Sequence, residues 1–188
     1  MRNGNLFVIS GPSGAGKGTL VARLAQRVPD AWVSRSMTTR EPREGEVDGV
    51  HYDFLTKEDF LRLAKADGFL EWAEYAGNCY GTPRKSIEDA LAAGKQIILE
   101  IDVQGAFQVR EKMPSAHLVF IVPPSLEVLE RRLRGRGTEE EDVIARRMEA
   151  ARFELSHKDE YDKQLVNDDL DTATDELVAY VDSFADRY

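Results

Sequence analysis

Gly11-Pro12-Ser13-Gly14-Ala15-Gly16-Lys17 has the spacing G-x-x-x-x-G-K, which suits a phosphate-binding loop. Three glycines let the backbone curl until its N–H groups point at one centre. A helix opening near Lys17 adds its positive end, and the lysine reaches the β- and γ-phosphates of a nucleotide. Gly18 stands where Ser or Thr usually offers a hydroxyl to Mg2+, and Thr19 comes one position later. Mg2+ is then held either mainly through water and nucleotide oxygens or by Thr19. A second cluster follows at Ser34-Arg35-Ser36-Met37-Thr38-Thr39-Arg40-Glu41-Pro42-Arg43, with Arg40 and Arg43 three residues apart among hydroxyls. Guanidinium groups grip phosphate in bidentate fashion and cannot lose their charge, so this segment reads as a second phosphate site. Glu100 and Asp102 close an apolar run, and α/β sheets place ligands at such strand ends.

The elements that must position these residues follow from the apolar pattern. Leu6-Phe7-Val8-Ile9 reads as a buried strand closed by Gly11-Pro12, and Leu20, Val21 and Leu24 recur at helical spacing until Pro29-Asp30. Residues 34–49 have no clean period and read as a long functional loop or short strands. Thr56, with Glu58 and Asp59 behind it, caps a helix carrying Phe60, Leu61 and Leu63. Phe69 to Ala76 is strand-like and turns at Gly77-Asn78; Ser86 to Ala93 is a helix stopped by Gly94. Ile97 to Leu99 and Leu118 to Val122 are further buried strands. Helices are expected from Ser125 through Leu133 and from Thr138 to about His157, then a strand at Leu165-Val166 and a last amphipathic helix over Leu177, Val178 and Val181. Continuous apolar strands alternating with helices indicate an α/β fold, a mostly parallel sheet covered on both faces.

Composition narrows the function class. The 188 residues hold 25 Lys and Arg against 34 Asp and Glu, a net charge of −9, with 42% hydrophobic and 31% charged residues. These values fit a globular domain with an ample core and no bilayer span. The charge is uneven: residues 159–188 contain ten acids and two bases, so residues 1–158 are close to neutral. Net acidity argues against a broad nucleic-acid surface, yet leaves room for two concentrated phosphate sites. The opening Met1 to Asn5 runs straight into the first strand without a signal-peptide core, and the single Cys79 makes neither a disulfide nor a zinc cluster. A reducing cytoplasmic setting is expected. His51, His117 and His157 are scattered and suggest no triad or metal site; Trp32 and Trp72 read as packing residues.

Longer motifs carry a family resemblance. Ser36-x-x-Thr39-Arg40-x-Pro42-Arg43-x-Gly45-Glu46, Gly49-x-x-Tyr52-x-Phe54, Phe69-Leu70-Glu71-Trp72-Ala73-Glu74 and Gly77-Asn78-x-Tyr80-Gly81-Thr82 resemble guanylate kinase. So do Glu100 to Ala106, Phe120-Ile121-x-Pro123-Pro124-Ser125, Arg132-Leu133-x-Gly135-Arg136-Gly137-Thr138 and Asn167-Asp168-Asp169-Leu170, and the likeness covers nearly the whole chain. It implies a P-loop nucleoside monophosphate kinase that transfers the γ-phosphoryl of ATP to GMP with Mg2+. The GMP phosphate falls to Ser36, Arg40, Arg43, Tyr52 and Tyr80, and guanine to Glu71, Thr82 and Asp102. Guanine presents N1–H and N2–H2 together, for which carboxylates are natural acceptors, whereas adenine would leave one unpaired. Glu74 is expected to play no part. ATP falls to residues 11–19 (Gly11, Pro12, Ser13, Gly14, Ala15, Gly16, Lys17, Gly18, Thr19), and Asn167 is implied near the adenine. Lys17, Arg40, Arg132, Arg136 and Arg147 form the implied catalytic set, and Glu100 joins Thr19 as the candidate metal residue.

The resemblance also implies a division of the chain: core at 1–35, a mixed α/β GMP-binding region at 36–88, core at 89–130, a helical lid at 131–150 and core at 151–188. Arg131, Arg134, Arg146 and Arg152 fit a solvated or ion-paired helix face. The expected partners are ATP and GMP, with no nucleic acid and no membrane; a homo-oligomer is left open. A P-loop kinase with another acceptor would vary Tyr52, Glu71, Thr82 and Asp102, and a non-catalytic interaction module would lack Lys17 or the acceptor arginines. All of these residues are in place.

Overall fold

Leu6 to Ile9 is apolar without alternation because both faces of its strand are covered. Phe7 and Ile9 face one core, while Leu6 and Val8 face another. The computed structural model describes residues 2–135 and 141–185. In chain order the elements are β1 (Asn5–Ser10), α1 (Lys17–Arg27), β2 (Ala31–Val33), β3 (Met37–Thr38), β4 (Asp53–Phe54), α2 (Lys57–Lys65), β5 (Phe69–Tyr75) and β6 (Asn78–Pro83). They continue with α3 (Arg84–Ala92), β7 (Gln96–Glu100), α4 (Val103–Lys112), β8 (His117–Val122), α5 (Leu126–Arg134), α6 (Glu141–Ser156), β9 (Lys163–Val166) and α7 (Leu170–Ala185). The main sheet has the order β2-β7-β1-β8-β9, and every pair in it is parallel.

On one face Leu20, Val21 and Leu24 of α1 and Leu177 and Val181 of α7 pack against Phe7, Ile98 and Val119. On the other, Ile87 of α3 and Val103, Ala106 and Val109 of α4 pack against Ile97, Leu99 and Leu118. This two-sided cover is what the apolar strands predict. Because β1 and β7 are parallel neighbours, with Ile9 opposite Glu100, the glycine-rich loop after β1 and the acids Glu100 and Asp102 at the close of β7 lie at the same carboxyl end of the sheet.

A second sheet, β4-β3-β6-β5, stands apart and carries α2. Its own small core is Phe60, Phe69 and Cys79, with Phe60 and Phe69 stacked at 4.4 Å between ring centroids. Thr56 caps α2 as expected, accepting the Asp59 N–H at 3.1 Å. The expected loop or short strands after residue 34 become β3 and β4, joined by a long connection.

Two differences from the sequence reading have physical causes. The stretch 103–112 forms α4, although Gly105 interrupts its apolar spacing; Asp102 caps it by accepting the Gly105 N–H at 2.8 Å. α3 opens at Arg84, two residues earlier than expected, because the extended Pro83 pre-sets its first turn. The expected start of the next helix, Thr138, lies outside the described residues, which resume at Glu141, the first residue of α6. No helix among the described residues is long and apolar enough to cross a membrane.

Candidate active site

The loop between β1 and α1 is held from behind. Gly16 caps α1 at φ +92°, and a Cβ there would sit 2.3 Å from the Asn167 amide nitrogen, so glycine is required twice over. That amide donates to Ala15 O at 2.7 Å, and the Asn167 carbonyl accepts from Arg132 at 3.1 Å. Asn167, buried behind the loop, therefore braces it and ties it to α5. The Lys17 ammonium donates to Gly11 O and, at 3.1 Å, to Pro12 O. Burial pulls its pKa down, and the carboxylates of Glu100, Glu154 and Asp102 oppose that by favouring the charged form. Ser13, Gly14, Gly16, Lys17, Thr19 and Arg132 surround a cavity of about 340 Å3.

A second cavity, about 290 Å3, opens between the two sheets and is lined by Ser36, Tyr52, Glu71, Tyr80, Glu100 and Asp102. Glu71 is only 7% exposed, and one oxygen accepts the Thr82 hydroxyl at 2.6 Å. Burial pushes its carboxyl above the usual range, and Asp102 adds to that. Arg40 lies 5.4 Å from the Tyr52 ring centroid and donates to both Glu46 oxygens, at 2.8 and 3.0 Å. Glu46 also accepts the Arg43 N–H at 2.8 Å, and these donors draw its carboxyl down to about 2. Glu46 thus holds the Arg40 guanidinium and the Arg43 backbone together, while Arg43 itself is exposed. Arg35 plays a different part and pins the connection before β4 through Asp53 at 2.8 Å and Gly49 O.

The family model for guanylate kinase matches residues 3–184 of the chain. A guanylate kinase of Synechococcus sp. (strain CC9311) is 55% identical over 170 residues, 90% of each chain. One of Synechocystis sp. is 54% identical over 178 residues, 95% of this chain and 93% of that one. Among solved structures, guanylate kinase from Anaplasma phagocytophilum superposes with a TM-score of 0.77 at 35% identity, covering 100% of this chain and 90% of that one.

The chain belongs to the guanylate kinase family. It is a nucleoside monophosphate kinase that transfers a phosphoryl group from ATP to GMP. In this guanylate kinase one cavity lies at the loop after β1 and the other between the sheets, with Glu100 lining both. A Cβ added at Gly18 would lie 3.7 Å from both Glu100 oxygens, so the position that lacks the usual hydroxyl faces a carboxylate instead. Among the described residues no group of three or more His, Cys, Asp or Glu forms a ready metal cage. One carboxylate and one hydroxyl beside a phosphate cavity nevertheless suit Mg2+, which keeps several waters and takes phosphate oxygens.

Of the three arginines expected in the lid, Arg132 lines the loop cavity, Arg147 sits half-buried on α6, and Arg136 lies outside the described residues. Arg134 and Arg146 are ion-paired on helix surfaces, with Glu141 and Asp142 respectively, as expected for a solvated face. Glu74 lies at the exposed end of β5, away from the cavity between the sheets.

Sequence reading missed two contributors in this guanylate kinase. Glu46 was visible only as a motif letter; its role as the common acceptor for both arginines needs the folded loop. Gly105 is the other. A Cβ there would stand 3.1 Å from a Glu71 oxygen, so the glycine makes room for the buried Glu71 carboxylate. Gly105→Ala should raise thermal stability slightly, because alanine favours helix by about 1 kcal/mol. KM for GMP should rise several-fold as Glu71 is displaced. Melting curves and initial rates check both signs, and an unchanged KM would remove Gly105 from the site.

Proposed function

We propose that the chain performs a direct, in-line transfer of the ATP γ-phosphoryl group to the GMP phosphate, with no covalent enzyme intermediate. The observation that carries this reading is Glu71, hydrogen-bonded to the buried Thr82 and lining a cavity with Asp102 and with Glu100, which also lines the cavity at the Lys17 loop. Glu71 and Asp102 accept the guanine N1–H and N2–H2 groups, and Thr82 orients Glu71. Ser36, Arg40, Arg43, Tyr52 and Tyr80 hold the acceptor phosphate. Residues 11–19 wrap the ATP phosphates. Lys17, Arg132, Arg136 and Arg147 offset charge on the transferring oxygens, which is where most of the rate enhancement arises in such reactions.

Thr19 and Glu100 are the residues that would hold Mg2+, directly or through water, and the ion when bound neutralises charge on the phosphates. Residues 36–88 act as the GMP-binding region and 131–150 as the lid, and both close over the nucleotides to exclude water. The boundary at 88 falls inside α3, whose Ile87 belongs to the main core. A reducing cytoplasmic setting is part of the same reading, supported by the buried free thiol of Cys79.

The test is a coupled assay of ADP formation from MgATP with GMP, AMP, UMP or CMP as acceptor. GMP should be strongly preferred. Equal use of any other nucleotide would sink the guanine-reading assignment.

A further inference from the structure

Four buried side-chain polar atoms lack a hydrogen-bond partner among the described residues, and three of them belong to residues that bear on one another, Ser10 Oγ, Tyr161 Oη and Glu154 Oε2. The Ser10 and Tyr161 hydroxyls interact without closing a good hydrogen bond, and Glu154 bears electrostatically on Tyr161. Of the three, only Glu154 can change charge near neutrality. Burial pushes its carboxyl up to about 7, with Asp102 adding to the shift and Lys17 opposing it.

The placement of Glu154 matters more than its acidity. Ile144, Met148 and Ala151 of α6 pack against Leu129 and Leu133 of α5. Arg147 and Glu154, seven residues apart, lie on one flank of that buried stripe, two turns from each other. Glu154 also lines a cavity with Gly11, Lys17, Tyr52, Glu100 and Asp102, between the loop and the acceptor pocket. One oxygen of Asp102 is committed to the Gly105 N–H, whereas Glu154 Oε2 has no partner among the described residues. The groups facing Glu154 are therefore Lys17 from α1, Asp102 at the head of α4, Tyr161 ahead of β9, and Glu100 and Tyr52 across the cavity.

We propose that Glu154 is a positioning residue for Lys17: its carboxylate, carried on the same helix as Arg147, draws the lysine ammonium away from its own loop carbonyls toward the space between the two phosphate sites. This rests on reading Lys17 as the phosphate-binding lysine. Lys17 stands between two sets of acceptors, the carbonyls of Gly11 and Pro12 on one side and carboxylates on the other. A tilt of α6 moves Arg147 and Glu154 together, so the lid helix sets the lysine and the arginine in one motion. The carboxylate acts only when ionised. Its contribution is present above about pH 7 and is lost as pH falls through that value.

The test compares wild type with Glu154→Gln, which keeps the shape and removes the charge, and Glu154→Asp, which keeps the charge on a shorter stem. Initial rates with MgATP and GMP are taken from about pH 6 to 9, since kcat/KM reports groups of the free enzyme. Glu154→Gln should lose about 10- to 100-fold in kcat/KM for ATP at the alkaline end, the scale of a small misplacement, with KM for GMP unchanged. The loss should shrink toward the acidic end, where wild type is itself protonated, and Glu154→Asp should recover part of the rate and keep the acid limb. Circular dichroism checks that each variant is folded. Wild-type kcat/KM in Glu154→Gln overturns the proposal. So do equal losses in Gln and Asp at a pH-independent ratio, which would mark a packing role. A wild type that forms no ADP with GMP would instead sink the reading of the site.

Discussion

Lys17→Ala is expected to lower kcat by about 10^3-fold, ~4 kcal/mol of transition-state stabilisation, in a chain that remains folded. The two halves of that expectation have separate causes. Lys17 opens α1 and belongs to none of the buried apolar clusters, and alanine is a good helix former at that position. The hydrogen bonds its ammonium makes go to carbonyls of its own loop. Stability should therefore change little. Charge in the cleft changes greatly, because Glu100, Glu154 and Asp102 lose the cation they share. ATP affinity should fall along with kcat, and raising ATP should not restore the rate. Turnover at saturating nucleotide, with thermal melting as the control, decides it. Near-normal turnover would remove the lysine from the chemistry.

How much of this was legible in the sequence depends on the range over which each feature is encoded. The loop is local: strand, glycine spacing, lysine and helix lie within about twenty consecutive residues, and all appear where the pattern puts them. The parallel sheet was legible from uninterrupted apolar strands. α4 was not, because its buried residues Val103, Ala106 and Val109 straddle Gly105, whose purpose is to clear space for Glu71 from another sheet. The same holds for Glu46, whose meaning depends on where the chain from Arg40 to Arg43 folds back. Asn167 shows the reverse. The resemblance implies a place near the adenine, and the structure adds a bond to Ala15 O that only the folded chain reveals, since 152 residues separate the partners.

The acidic C-terminal stretch also gains a cause. Asp171 and Asp175 of α7 meet Arg23 and Arg27 of α1, and Glu176 meets Lys163 of β9. These pairs are exposed and worth little individually. They tie α7 to α1 and to β9, and none of their residues lines the loop cavity or the cavity between the sheets. The cleft keeps its own charge pattern, with Lys17 and Arg132 at the loop cavity and the carboxylates of Glu71 and Asp102 in the cavity between the sheets.

Glu71→Gln should separate function from stability more cleanly than any other change. On the proposed reading of the site, both guanine donors, N1–H and N2–H2, meet carboxylate oxygens in the wild type. Glutamine offers one carbonyl oxygen and one NH2, so a donor faces a donor in a pocket where Glu71 is only 7% exposed. A loss of about 10^2- to 10^3-fold in kcat/KM for GMP follows, with KM for ATP nearly unchanged. Stability should move the other way. Burial holds the Glu71 pKa above its usual 4.5, so the folded state binds the proton more tightly than the unfolded chain does. For an acid shifted upward, stability is greatest when it is protonated and declines as pH rises from the unfolded value through the folded one. Glutamine is neutral throughout and escapes that decline. The variant should therefore melt at or above the wild-type temperature at neutral pH, with the gap closing as pH is lowered toward 4.5. A variant that lost stability and GMP use together would make Glu71 a packing residue. One that gained stability while losing GMP would show a carboxylate kept ionised in a buried pocket for the base it reads.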